Sequence, residues 1–180
     1  MAVGADSQNI YAFQLEDEEP RAVIATRAAE HSPSLSPDGR WIAYVSDESG
    51  RSEVYVARFS DGGGQQRVTV SGGWEPLWSR DGRELFYAEQ NPAPEGRLEL
   101  RSMAVSSGDA LELGTPRTLF ALEDDDGTLV ARSRSSGATY DVSPDGTRLI
   151  MIHRPAEPPA TEIVVVQNWH EELNRLFPTD

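Results

Sequence analysis

Three stretches of this chain align with one another without a gap. A chain that repeats itself in this way builds its core by stacking copies of one small unit. The stretches are Pro33–Tyr44, Pro76–Tyr87 and Tyr140–Met151. Each carries an apolar residue, then Ser-x-Asp-Gly, then two further residues, then an apolar run rich in strand formers. The turns read Ser36-Pro37-Asp38-Gly39, Ser79-Arg80-Asp81-Gly82 and Ser143-Pro144-Asp145-Gly146. Proline presets the φ that a turn needs at its second position, Asp bonds to nearby backbone, and Gly supplies a positive φ without steric cost. Apolar runs on both sides make each motif a β-hairpin closed by a Gly bulge. A catalytic reading of Ser36, Asp38, Ser79, Asp81, Ser143 or Asp145 would have to explain why the motif occurs three times; turn chemistry explains it directly.

The turn serines Ser36 and Ser79 lie 43 residues apart, which is the period of a four-stranded propeller blade. Ser79 and Ser143 lie 64 apart, so the second repeat carries about 21 extra residues. Two polar stretches absorb them as loops: Glu89–Gly96 with its two prolines, and the acidic, Ser-rich Glu123–Gly137. Further strand candidates follow each hairpin: Glu53–Ala57 and Gln66–Val70, Leu98–Val105 and Arg117–Phe120, and Thr161–Val166. Upstream, Asn9–Leu15 and Arg21–Ala25 match the third and fourth strands of an earlier blade, joined by the acidic turn Glu16–Glu19. The sequence therefore predicts an all-β chain, a partial β-propeller of about three four-stranded antiparallel blades. It forms one domain over residues 1–180, with a blade remnant at 9–27 and blades at 31–71, 74–120 and 138–167. Trp169, Leu173, Leu176 and Phe177 recur on one face of a short helix, 168–177, with Asn168 as its cap and Pro178 as its stop.

Composition removes several chemistries. The chain has no Cys, which excludes disulfides and thiolate metal sites, and all 16 of its basic residues are Arg, which excludes Schiff-base chemistry and a P-loop lysine. A net charge of −14 repels phosphate backbones and anionic lipid, so neither nucleic acid nor a membrane is an expected partner. No run reaches the roughly 18 apolar residues of a membrane span. The start, Met1–Asp6, shows neither the basic residues nor the apolar stretch of a signal peptide. His31, His153 and His170 are far apart and fit no metal-ligand spacing. The acidic run Glu123-Asp124-Asp125-Asp126 does not follow the EF-hand pattern. There is no Gly-x-Ser-x-Gly elbow, and no isolated carboxylate pair for acid–base work. No catalytic residue, metal site or cofactor is expected. Trp41, Trp74, Trp78 and Trp169 read as blade and helix core, with Trp74 the best exception because it lies where the chain enters an inner strand.

The stretch Ser36–Val56, with Ser-Pro-Asp-Gly-Arg-Trp-Ile-Ala-Tyr and Glu-Val-Tyr-Val, resembles the blade repeat of the TolB-type, WD-repeat-like propellers. The second repeat departs from it by carrying Arg80 in place of Pro. Leu111–Pro178 is similar to the last blades of propellers attached to bacterial serine/threonine kinases, although this chain has no kinase motif. The resemblance implies a sensory, scaffolding or partner-binding module in a bacterial setting, periplasmic if the module is part of a longer exported protein.

Three blades do not close a ring, since propellers close with about four to eight. Open blade faces and strand edges invite association. The expected function is therefore non-enzymatic protein–protein interaction or assembly. In one form of it, a homodimer closes a six-bladed ring, each N-terminal strand completing the other copy's last blade. The expected partner surface comprises the loops entering the inner strands, His31, Trp74 and Glu75, together with the insertion holding Glu123, Asp124, Asp125 and Asp126. Two other readings stand beside it. One is the propeller of a larger enzyme, a prolyl-oligopeptidase-like peptidase or a receptor kinase. The other is a sensor of a small ligand or ion.

Overall fold

Strand follows strand along the chain. The computed structural model describes residues 8–15, 19–92, 96–107, 110–124, 127–129 and 139–155. Strands β1 (Ile10–Ala12) and β2 (Arg21–Ile24) pair as a hairpin. Strands β3 (Glu30–Leu35), β4 (Trp41–Ser46), β5 (Glu53–Arg58) and β6 (Gln66–Arg67) form a four-stranded antiparallel sheet in chain order. A second such sheet contains β7 (Gly73–Trp78), β8 (Glu84–Gln90), β9 (Leu98–Ser107) and β10 (Leu111–Ala121). Beyond it come β11 (Glu123–Asp124) and β12 (Gly127–Leu129), then the hairpin of β13 (Tyr140–Val142) and β14 (Leu149–Met151), and finally β15 (His153–Pro155), which pairs with β12. The chain is an all-β stack of antiparallel blades, a partial propeller.

The three Ser-x-Asp-Gly turns share one geometry. The Gly39, Gly82 and Gly146 amides donate to the carbonyls of Ser36, Ser79 and Ser143 at 2.8, 2.9 and 2.8 Å. The glycines sit at φ of 69°, 70° and 69°, a region that costs other residues strain. Each serine hydroxyl donates to the Asp two residues on, at 2.6, 2.7 and 2.5 Å. The same hydroxyl accepts from the amide five residues on, that of Trp41, Glu84 or Arg148, at 2.9 Å in every case. Serine thus fills a rung of the ladder that the bulge leaves open. The hydroxyl's bond holds the Asp38, Asp81 and Asp145 carboxyls below their usual range.

Blades pack face to face, which explains why strands such as Trp41–Ser46 are apolar on both sides. Side chains alternate across a strand. Trp41, Ala43 and Val45, with Val54 and Val56, meet Trp78, Leu85, Tyr87, Met103 and Val105 of the next blade. Ile42, Tyr44, Tyr55 and Ala57 face the other way, onto Ile10, Val23 and Ile24 of the N-terminal hairpin. The far side of the second blade, with Phe86, Ala88, Leu98 and Leu100, packs on Leu122, Tyr140, Leu149 and Met151. The Trp78 indole N–H reaches across a blade junction to the Ser34 carbonyl at 3.1 Å. Pro116 is accommodated because β10 is an edge strand and its register shifts between Leu113 and Pro116.

Three sequence expectations need correction. The strand expected at Gln66–Val70 stops at Arg67. Val68 still donates to the Val54 carbonyl, but the Val54 amide turns to the Thr69 hydroxyl at 2.8 Å, and that substitution releases the chain toward the next blade. The acidic stretch from Glu123 is not all loop: Glu123–Asp124 and Gly127–Leu129 are strands. Backbone pairing at a sheet edge needs no apolar side chain, only a partner with free groups, and β15 supplies one to β12. Glu89 and Gln90, placed in a loop from sequence, extend β8 and pair with Glu99 and Leu98. The expected helix at 168–177 and strand at 161–166 lie outside the described residues, as do Asp125, Asp126 and Trp169.

Candidate functional site

The inner strands β3 and β7 lie against each other, and each breaks at the same point. Ser32 and Glu75 both stand four residues ahead of their turn serine, and both are followed by proline. Their φ angles are 51° and 50°, the only positive values at non-Gly residues among the described residues. The ladder shifts register there, between His31 and Ser34 and between Trp74 and Leu77. Proline disfavours the helical region for the residue before it. A left-handed residue at a bulge then re-aims its neighbours. Each blade therefore presents the residue just before the bulge, His31 in one and Trp74 in the other, at an equivalent rung.

His31, Trp74 and Glu75 lie within strands, not in the loops leading to them. His31 is half-buried, its Nδ1 2.9 Å from the Ser32 hydroxyl. Trp74 is half-buried too, its ring lying over Gly72, where a Cβ would come within 2.9 Å of it. Glu75 is buried and serves the fold. Its carboxylate accepts from the Thr139 amide at 3.1 Å and hydroxyl at 2.5 Å, and its carbonyl accepts from the Tyr140 hydroxyl at 2.6 Å. Glu75 thereby ties the inner strand of the last blade to that of the blade before it. Burial first, and the Glu75 charge second, push the Tyr140 phenol well above its ordinary range. Glu123 and Asp124 form β11, in a different sheet from β3 and β7, so the structure does not join them to His31 and Trp74 in one sheet.

Two buried acids went unnoticed in the sequence. Glu53 has a side chain with no exposure. It accepts from the Thr69 hydroxyl at 2.5 Å, from the Gly72 amide at 3.1 Å to each oxygen, and from Arg51 Nε at 2.9 Å. Glu30, buried at the start of β3, accepts from the Thr26 hydroxyl, while its second oxygen has no partner among the described residues. Burial, opposed by the Thr26 bond and reinforced by the nearby charges of Glu48 and Asp47, raises the Glu30 carboxyl above its ordinary value. The one trace of them in the sequence is the threonine and not the acid: Thr26 and Thr69 both stand ten residues ahead of a turn serine, and each binds a carboxylate at a blade junction. Among the described residues no three His, Asp or Glu side chains gather to hold a metal ion.

Residues 2–119 match the family model of the TolB beta propeller domain. The chain belongs to that family. Among curated proteins it is similar to the Tol-Pal system protein TolB of Desulfosudis oleivorans, 25% identical over 80 residues that make up 42% of this chain and 18% of that protein. It is 34% identical over 71 residues to the Tol-Pal system protein TolB of Nitrosococcus oceani, covering 39% of this chain and 16% of that protein. The alignments thus span less than a fifth of the length of these relatives. Among solved structures, a protein described as TolB from Agrobacterium tumefaciens superposes with a TM-score of 0.60 at 22% identity, covering 82% of this chain and 51% of that one. That likeness establishes the TolB-type propeller fold.

Proposed function

We propose that this TolB-type propeller is a non-enzymatic module that binds protein partners, and that His31 and Trp74, presented by the paired bulges, form the centre of its contact surface. The recurring bulge carries this reading. Two adjacent blades hold the same strained backbone and place different, half-buried side chains at the same rung. Backbone strain kept at one place in a repeat is a feature of functional positions, and a half-buried indole is the kind of side chain that anchors a protein contact. Glu75 supports the surface through its backbone, and the acidic Glu123, Asp124, Asp125 and Asp126 make a second candidate contact, suited to a basic partner. The kinship with Tol-Pal proteins favours a partner from such a system and a periplasmic setting for any longer protein that carries this domain. Titrating the domain with the Pal component of Nitrosococcus oceani tests the reading. Saturable binding that weakens at least tenfold in a His31→Ala, Trp74→Ala variant of unchanged melting temperature is the expected result. Binding that the double variant leaves intact would move the surface elsewhere.

A second reading rests on the ends of the stack: the chain self-associates as a homodimer that closes a ring of blades. Tyr11, Phe13, Ile150 and Ile152 are 48%, 70%, 76% and 57% exposed, and apolar sheet faces of this kind mark interaction sites. Light scattering behind a sizing column reads the mass directly, and a monomer at micromolar concentration refutes it.

A further inference from the structure

We propose that the first four-stranded blade carries a binding site for a small zwitterion, an amino acid or a short peptide, in which Arg67 takes the carboxylate and Glu48 the ammonium group. The site includes neither His31 nor Trp74 and does not depend on their role. An open cleft of about 470 Å³ lies in this blade, lined by Glu48, Ser49, Tyr55, Gln65 and Arg67. That volume falls in the range of small-molecule sites. Glu48 and Ser49 stand in the turn between β4 and β5, and Tyr55 in the middle of β5. Gln65 comes just before β6, and Arg67 ends it opposite Tyr55. One sheet and its turns therefore supply every group.

Two opposite charges line this cleft without pairing. No ion pair joins Glu48 to Arg67. Glu48 Oε1 accepts from the Gln65 side-chain amide at 2.8 Å, which holds the carboxylate in place. The Arg67 guanidinium makes no hydrogen bond or ion pair among the described residues. Both charges act on Tyr55. Burial first pushes its phenol up; the Ser49 bond opposes this, the Glu48 charge adds to it, and the Arg67 charge opposes it. The acidic side is reinforced from behind. Tyr44, stacked on Tyr55 with ring centroids 5.9 Å apart, is raised by burial first and then by the charges of Glu48 and Glu30. A cation is favoured at that side and a carboxylate at Arg67, so a ligand with a single charge leaves one wall unmatched.

The next blade shows the same place with its charges answered from within. Strand register equates Tyr55 with Arg101, Arg67 with Thr118 and Glu53 with Glu99, and the repeat equates Ser46 with Glu89 and Glu48 with Asn91. Arg101 there bonds Glu89 at 2.8 Å and Glu99 at 3.2 Å. Glu99 also accepts from the Asn91 side-chain amide at 2.7 Å and the Thr118 hydroxyl at 2.9 Å. Glu89 accepts from the Val70 amide as well, at 3.1 Å. In the first blade the central cation is replaced by Tyr55 and one of its acids by Ser46, while Glu53 is committed to Thr69 and Gly72. The network is gone, and a cation and an acid now stand at its margins, on Arg67 and Glu48, with the cleft between them.

Isothermal titration calorimetry of the full chain with triglycine and with leucine, each also as its N-acetyl and its carboxamide derivative, tests the site. Saturable binding of triglycine or leucine at millimolar concentration is the expected result. Each blocked derivative should bind at least about tenfold more weakly, because a hydrogen bond to a charged group is worth that factor. Glu48→Gln should lose the preference for a free ammonium group and Arg67→Gln the preference for a free carboxylate, both with unchanged circular dichroism. Triglycine as the tighter ligand identifies a peptide site, and leucine an amino-acid site. The His31→Ala, Trp74→Ala variant should bind as the parent does. No saturable binding of either compound overturns the proposal. So does binding that both Glu48→Gln and Arg67→Gln leave intact, or that only the His31→Ala, Trp74→Ala variant loses.

Discussion

Replacing Glu53 with Gln tests whether the buried carboxylates are what fasten one blade to the next. In the structure Glu53 takes the Thr69 hydroxyl and the Gly72 amide, both in the link that leads into β7, while lying wholly inside the protein. Glutamine keeps the shape but turns one acceptor into a donor. It must then set an N–H₂ against either the Thr69 hydroxyl or the Gly72 amide. A hydrogen bond to a charged group contributes about 1.5–3 kcal/mol, and a buried donor left without an acceptor costs about 1–3 kcal/mol. Together these place the loss at about 2.5–6 kcal/mol. Arg51 also contacts Glu53, but its side chain is 61% exposed, so Arg51→Ala should cost less than about 1 kcal/mol. Urea unfolding at fixed protein concentration, followed by tryptophan fluorescence and circular dichroism, gives both values. Trp74 lies over Gly72 and so reports on the joint itself. Equal losses in the two variants, or a Glu53→Gln loss under about 1 kcal/mol, would refute the argument that a solvent-free hydrogen-bond clasp holds the blades.

Two further outcomes follow from the same junctions. The Glu30 carboxyl is raised in the folded state by burial; a raised acid favours folding at low pH, and the contribution is lost as pH rises from the unfolded value through the folded one. Glu30→Gln should therefore be more stable than the parent at pH 7, with the difference shrinking to nothing near pH 4, and a melting-temperature series across that range checks it. Tyr140→Phe keeps the ring in its cluster and removes only the 2.6 Å bond to the Glu75 carbonyl, so it should cost about 1 kcal/mol; a variant that melts with the parent would show that packing alone seats the last hairpin.

The repeat was legible because its causes are local. A Ser-x-Asp-Gly turn draws its bonds from residues within five positions, as the Ser36–Trp41 and Asp38–Arg40 contacts show, and the apolar runs beside it announce a strand buried on both faces. The blade junctions were not legible in the same way. Glu53 meets Thr69 and Gly72, and Glu75 meets Thr139, across separations of 16, 19 and 64 residues. Nothing in the sequence beside Glu53 distinguishes it from the many solvated acids of this chain. Glu75 marks the bulge, and its carboxylate binds Thr139 at the joint. The Glu123 stretch misled for the opposite reason. Its charge argued for a loop, whereas edge pairing depends on backbone groups that composition does not reveal.

What separates structure from function here is the comparison of one blade with the next. At the turn, both blades use Ser, Asp and Gly in the same bonds. Ten residues earlier, both use Thr to hold a carboxylate. Four residues before the turn, both accept a left-handed backbone that neither Ser32 nor Glu75 adopts at no cost. In these two blades the backbone is the same, whereas the equivalent Thr139 of the third repeat, followed by Tyr140 and not by proline, has no positive φ; the side chain displayed beside the shared bulge is free to differ. It does differ: imidazole in one blade, indole in the next. Core rungs differ only among apolar residues, as Ala43 against Phe86 and Tyr44 against Tyr87 and Met151 show. Constant backbone with changing chemistry is how a repeat protein varies what it recognises without changing how it folds. On that ground we propose recognition at His31 and Trp74 and not in the turns that make the family visible.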